Sequence, residues 1–344
     1  MTGINKVAIL GASGNFGTPI TSALHDAGFA VTAVTRPDSN STATIPAGIP
    51  VIRADYADVD ALAQAFAGQH AVVCVVGPGA IKASKGMVDA AKRAGVRRYI
   101  INDFGWGLND RSEPELKSIG AARRVAWDCA AEYARGDEGK EDGFTWTGIT
   151  IGNPIDWALP KFPRMGFNIS ERRATIYDEG TEEFTGTTLE GIGQAVVGVL
   201  QHPIETANRF VKVRSIQTSQ NALLAAFQCA TVEAESETGT RTGNEAGGEG
   251  EGEGERGGEM HRKSEWEIEH STSQQTLADG RAKHAQGAAG WLLDFVVFQL
   301  FAPGEARSVV APSRDESDSP LLRVREETVD EVVRKALLGR RWAA

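Results

Sequence analysis

The sequence has little of what marks a disulfide scaffold, a metal centre or a nucleic-acid surface. Only three cysteines occur in 344 residues, Cys74, Cys129 and Cys229. They are odd in number, far apart and without a C-x-x-C pair, which excludes a disulfide framework and a cysteine zinc site and fits reduced thiols in a cytoplasmic compartment. The six histidines are scattered and form no metal-ligand spacing. No apolar run is long enough to span a bilayer: "WLLDFVVFQLF" (291–301) is short and interrupted by Asp294, so it reads as a buried helix. The N-terminus lacks the charged-then-apolar pattern of a secretory signal, because "KVAIL" leads straight into glycine. Basic charge is not concentrated either. Short clusters such as Arg97/Arg98 and Arg123/Arg124 fit solvated helix faces, so neither a nucleic-acid partner nor an anionic membrane is expected.

What is present is ordinary for a globular chain: 41% hydrophobic and 24% charged residues, with a net charge of −10. Residues 231–263 carry nine acids and four bases and so supply half of that charge. Their core, "GNEAGGEGEGEGERGGE", has no apolar periodicity and cannot bury enough surface to offset the entropy of ordering it. A disordered acidic Gly/Glu-rich insertion is expected over 231–263. It could tether a partner, be a tolerated low-complexity insertion, or be a translated non-coding segment.

The first part of the chain alternates apolar β-rich runs with amphipathic stretches. The runs are "KVAIL", "FAVTAVT" (29–35), "IPVIRA" (49–54), "AVVCVV" (71–76), "RRYIIN" (97–102) and "FTWTGIT" (144–150). Between them "TPITSALHDAG", "DVDALAQAFAG" and "KGMVDAAKRAG" each close on a glycine suited to a helix C-terminus. Such alternation implies an α/β fold, a Rossmann-like doubly wound parallel sheet covered by helices on both faces. After Asn153-Pro154 the rhythm changes. A capping box at Thr187-x-x-Glu190 opens a buried helix, "NRFVKVRSI" reads as a strand, and "SQNALLAAF" and "ETVDEVVRKALL" read as helices. The expected division is a dinucleotide-binding domain over 1–155 and a smaller α+β substrate lobe over 156–230 and 264–344.

Gly11, Gly14 and Gly17 recur at three-residue spacing between the first apolar strand and the first helix. In that context Gly11 would allow a tight turn, Gly14 a close backbone approach to a pyrophosphate, and Gly17 close packing of helix on strand, with the diphosphate at the helix N-terminus. The glycines could also serve only the turn. Arg36 follows the second strand, where an acid would favour ribose hydroxyls; an arginine suits a 2′-phosphate, and NADP(H) is the expected cofactor unless Arg36 is a surface loop residue. Asp55 could accept from an adenine amino group or cap the next helix, a role for which Asp58 competes. "VVGPGA" places Gly77, Pro78 and Gly79 after the fourth strand, either close to the cofactor or in an ordinary turn. The full cofactor-binding set is Gly11, Ser13, Gly14, Asn15, Phe16, Gly17, Arg36, Asp55, Gly77 and Pro78.

Taken together, "GASGNFG", "TR", "VVGPGA", "RYIINDFGW" and "GITIGNP" resemble the NmrA-like and isoflavone-reductase-like branch of the atypical short-chain dehydrogenase/reductases, in its fungal form. The resemblance runs over residues 4–230 and 264–340. It implies a Rossmann domain binding NADP(H) and a C-terminal lobe closing over substrate. It also implies a lysine at the start of the helix after the fifth strand. In "ELKSIGAARRVAWD" the nearest lysine is Lys117, one or two residues out of register and open to reading as a solvated helix-end charge. The Tyr-x-x-x-Lys pair of the wider family is missing, since none of the four tyrosines has a lysine four residues on.

Hydride reduction of a carbonyl or enone needs a proton donor or cation beside the developing oxyanion. Lys117 and Asp103, at the carboxyl end of the fifth strand, are the candidate catalytic residues; Asp103 could equally orient a partner or serve a turn. Phe104 and Asn153 are the substrate-side candidates, and the aromatics around them could line a pocket or belong to the core. The expected function is an NADPH-dependent oxidoreductase acting on a small aromatic or secondary metabolite. The alternative is a catalytically silent NAD(P)-binding redox sensor of the NmrA type that engages a protein partner.

Overall fold

The computed structural model describes residues 3–39, 41–106, 113–242, 265–306 and 308–338. It divides into two compact units, the first formed by 1–154, 187–215 and 310–326 and the second by 155–186, 216–309 and 327–344.

The first unit is built on seven parallel strands: β1 (Lys6–Leu10), β2 (Ala30–Thr35), β3 (Val51–Arg53), β4 (Ala71–Cys74), β5 (Arg98–Gly105), β6 (Thr145–Thr150) and β10 (Arg209–Lys212), in the order β10-β6-β5-β4-β1-β2-β3. Alternate side chains of each strand enter opposite cores. Ala8 and Leu10 join Val72, Cys74, Tyr99 and Ile101 beneath α2 (Val59–Ala65), α3 (Ser84–Arg93) and α4 (Lys117–Gly136). Val7 and Ile9 join Val73, Ile100 and Ile149 beneath α1 (Gly17–Asp26) and α6 (Leu189–Gln201). This is the expected doubly wound sheet. Its carboxyl edge gathers the turns after β1, β2, β4 and β5, where open α/β sheets bind ligands.

Three boundaries differ from the sequence expectation. Segment 187–215 belongs to the first unit, because β10 adds to β6 as a seventh parallel strand and α6 packs on α1, where a Cβ on Gly193 would lie 2.9 Å from the Ala23 Cβ. Segment 310–326 follows it, with Asp318 paired to Arg209 at 2.6 Å and accepting from the Lys212 N–H at 2.7 Å. The capping residue of α6 is Thr188, which accepts from the Gly191 N–H; Thr187 is buried and donates to the carbonyls of Ile151 and Val213. The expected disordered stretch also begins too early. The helix α7 spans Gln220–Thr242, because the alanines and glutamates just before the glycine run are good helix formers; the rest of that stretch, 243–263, lies outside the described residues.

The second unit pairs β7 (Phe167–Asn168), β8 (Arg173–Tyr177) and β12 (Glu267–Ser271) in one sheet and β9 (Phe184–Gly186) with β11 (Ile216–Thr218) in another. Its helices are α5 (Ile155–Lys161), α7, α8 (Ser273–Ala285), α9 (Trp291–Phe301) and α10 (Val329–Leu338). The apolar run at 291–301 is indeed a buried helix, and Asp294 within it is fully buried, contacted by Arg164 and by Lys283 at 2.7 Å. In the first unit the fully buried charge is Arg98, which donates to the hydroxyls of Thr145, Thr147 and Thr206 and to the Pro203 carbonyl. Among the described residues no helix is long and apolar enough to cross a membrane.

Candidate cofactor and substrate site

The turn after β1 requires glycine at two positions, Gly11 and Gly17. Gly11 has φ 84°, and a Cβ on it would lie 2.5 Å from the Val75 carbonyl oxygen. A Cβ on Gly17 would lie 1.9 Å from the Gly11 carbonyl oxygen, an impossible approach. The Gly14 N–H closes the turn onto that same carbonyl at 3.0 Å, and Gly14 and Asn15 face solvent while Ser13 and Phe16 are half-buried. Helix α1 then starts without a side-chain cap and without an acid in its first turn. An uncapped helix start behind a glycine turn is suited to a diphosphate, so the residues present fit a dinucleotide.

The neighbouring turns on this edge are open. Gly77 precedes the 3-10 turn Pro78–Ala83, and a Cβ on Gly77 or Gly79 would meet nothing within 4 Å, so neither glycine is demanded by the protein's own packing. Tyr56, its hydroxyl pushed up to about 12 mainly by burial, donates to the Val34 carbonyl at 2.8 Å and braces the end of β2. Arg36, just beyond β2, is exposed and lies 3.9 Å from Asp38. Asp58 caps α2 by accepting from the Asp60 and Ala61 N–H groups, whereas Asp55 accepts from the Ala57 N–H at 2.9 Å in a local turn and remains exposed.

At the end of β5 the Asn102 amide donates to the Val76 carbonyl at 2.9 Å and ties the β4 and β5 turns together. Asp103 is buried, and its carboxylate accepts from Arg123 of α4 at 3.3 Å. Phe104 is half-buried against the core beneath α1 and α6. Asn153 is buried, and its carbonyl accepts from the Thr187 N–H at 2.8 Å. Lys117 is the first residue of α4 and is exposed. Six residues separate it from Arg123, about 600° of helix, so the two side chains leave different faces of α4. A small cavity at this edge is lined by Ile81, Ser84, Asn102, Arg123 and Trp127, among others; neither Asp103 nor Lys117 lines it.

Sequence reasoning missed Arg53, Asn102 and Arg123. The partners of the first two are backbone carbonyls far along the chain, which leave no side-chain pattern. Arg123 was visible as half of an arginine pair, and only its place opposite the buried Asp103 separates it from a solvated helix face.

The family model for NAD(P)H-binding proteins matches residues 11–203. The chain belongs to the NAD(P)H-binding oxidoreductase family. Over 326 residues it is 49% identical to Oxidoreductase poxI of Penicillium oxalicum, covering 95% of this chain and 92% of that protein. In fold it is similar to isoflavone reductase, at TM-score 0.64 and 17% identity over 96% of this chain and 98% of that one. The leucoanthocyanidin reductase of Vitis vinifera, solved with NADPH, gives TM-score 0.67 at 17% identity over 97% of this chain and 100% of that one. The expected family and the Rossmann-like fold are therefore those observed.

Proposed function

We propose that this oxidoreductase is an NADP(H)-dependent reductase of a carbonyl or enone carried by a small aromatic secondary metabolite. The observation that carries the proposal is the carboxyl edge of the sheet, where an uncapped α1 start, an exposed Arg36 and a half-buried Arg123 present three positive features along one edge. Bound NADPH supplies the hydride. The glycine turn and the first turn of α1, with Ser13 to Phe16, hold the diphosphate; Gly77 and Pro78 flank it; Arg36 takes the 2′-phosphate; Asp55 is left exposed to accept from the adenine amino group.

On the substrate side the developing oxyanion needs a cation or donor. Asp103 steadies the Arg123 guanidinium beside the cavity, Lys117 offers a proton from solvent at the start of α4, and Phe104 and Asn153 bound the substrate. A reducing, cytoplasmic setting agrees with three cysteines in no disulfide, of which burial pushes Cys74 and Cys129 up to about 11.

The test is NADPH oxidation against a panel of aromatic ketones, quinones and enones. Turnover that falls at least tenfold in Arg123→Ala, Asp103→Ala or Lys117→Ala, at unchanged NADPH affinity, supports the reading. Tight NADPH binding without oxidation across the panel would replace it with a cofactor-sensing role.

A further inference from the structure

Arg53 ends β3 directly opposite Thr35 in the β2–β3 register, one residue before Arg36. Its Nη1 donates to three backbone carbonyls of the loop that carries Arg36: those of Arg36 at 3.3 Å, Pro37 at 2.8 Å and Ser39 at 3.0 Å. The Ser39 N–H also closes onto the Arg36 carbonyl at 3.1 Å, so the loop is a tight turn wound around one guanidinium nitrogen. The other N–H groups of Arg53 have no partner among the described residues, and the side chain is exposed. Among the described residues the Arg36 side chain makes only the loose contact to Asp38.

We infer that Arg53 is the second cation of the cofactor's 2′-phosphate site, setting NADP(H) over NAD(H) together with Arg36. Two physical effects support this. A loop whose carbonyl oxygens faced an incoming phosphate would repel it; binding three of them to Arg53 turns that negative edge inward and fixes the backbone from which Arg36 extends. A guanidinium carries five donors in a planar fork, and committing one nitrogen to the loop leaves the remaining donors and the delocalised charge for the phosphate oxygens. Asp38 is the competitor in this arrangement. Its carboxylate holds Arg36 loosely and must give way when the phosphate arrives.

This inference rests on the NADP(H) reading above, and one titration separates the two. NADPH and NADH are each titrated calorimetrically into the unmutated protein, Arg53→Met, Arg53→Lys and Asp38→Asn, with melting temperature recorded for each. Equal affinity of the unmutated protein for both cofactors would overturn the NADP(H) reading itself. Given a preference for NADPH, Arg53→Met is expected to weaken NADPH roughly tenfold while NADH changes less than twofold, as for the loss of a charge-assisted contact. Arg53→Lys should recover part of the loss, because it keeps the charge without the fork, and Asp38→Asn should tighten NADPH and leave NADH unchanged. A fall of NADPH and NADH by the same factor in Arg53→Met would reduce Arg53 to a loop scaffold and overturn the inference, as would an unchanged NADPH affinity.

Discussion

Arg98 in the first unit and Asp294 in the second are both completely buried, and the two charges are solvated in opposite ways. Arg98 sits among neutral oxygens, three threonine hydroxyls and a carbonyl, with no acid paired to it among the described residues. Burial pulls its guanidinium down to about 10, so it stays charged near neutrality. Asp294 in the second unit is held by two cations that are themselves 41% and 34% exposed in their side chains. The first arrangement locks β5 and β6 to the segment before β10 and can relax only if that segment moves. The second is an anion inside with its counter-charges at the surface, so the cations can return to water while the carboxylate cannot.

That asymmetry gives the largest expected effect. Replacing both cations, Arg164→Met with Lys283→Met, strands Asp294 and should cost about 3 to 5 kcal/mol in denaturant unfolding. Asp294→Leu should cost clearly less, since both cations can rehydrate; equal costs would break the contrast. Arg98→Met should follow at about 2 kcal/mol, because the lost hydrogen bonds and orphaned acceptors are partly offset by relief from burying a charge, and raised salt should leave this cost unchanged. The smallest effect comes from a carboxylate that is only partly shielded. Asp137 of the first unit, its side chain 11% exposed, also has two cations, Lys140 at 2.8 Å and Lys92, and accepts from the Phe144 N–H at 2.9 Å. These hydrogen bonds hold its carboxyl well below the ordinary 3.8. A depressed folded-state value stabilises above 3.8 and is lost as pH falls through it toward the depressed value. Asp137→Asn should therefore cost about 1.5 kcal/mol at pH 7, and the gap to the unmutated protein should close in titrations below pH 3.8.

The same contrast explains what was legible in the sequence. The cofactor edge was readable because its constraints are local: the clash of a Gly17 Cβ with the Gly11 carbonyl is a fact about seven consecutive residues. The inner strands of the sheet were readable from apolar runs, since they are covered on both faces, while the edge strand β3 is exposed. Their last member was misplaced because "NRFVKVRSI" shows that it is a strand and says nothing about which sheet it joins; that is decided by β6, about 60 residues earlier. Thr187 was taken for the cap of α6 because the helix starts one residue later than the pattern suggests, which frees Thr187 to bond Ile151 and Val213. The substrate side stayed obscure for a related reason. A pair such as Asp103 and Arg123 joins the end of a strand to the second turn of a helix, and at twenty residues' separation no spacing rule announces it.

The three-segment construction of the first unit has a consequence for biosynthesis. The glycine turn leaves the ribosome well before the sheet behind it is whole, since the seventh strand comes only at 209–212. The clasp of Asp318 on Arg209 and on the Lys212 N–H comes a hundred residues after that. The nucleotide cradle is therefore translated early and finished late. Until the 310–326 segment emerges, β10 lacks Asp318, the partner of Arg209 and of the Lys212 N–H, and no single cut through the sequence releases this unit whole.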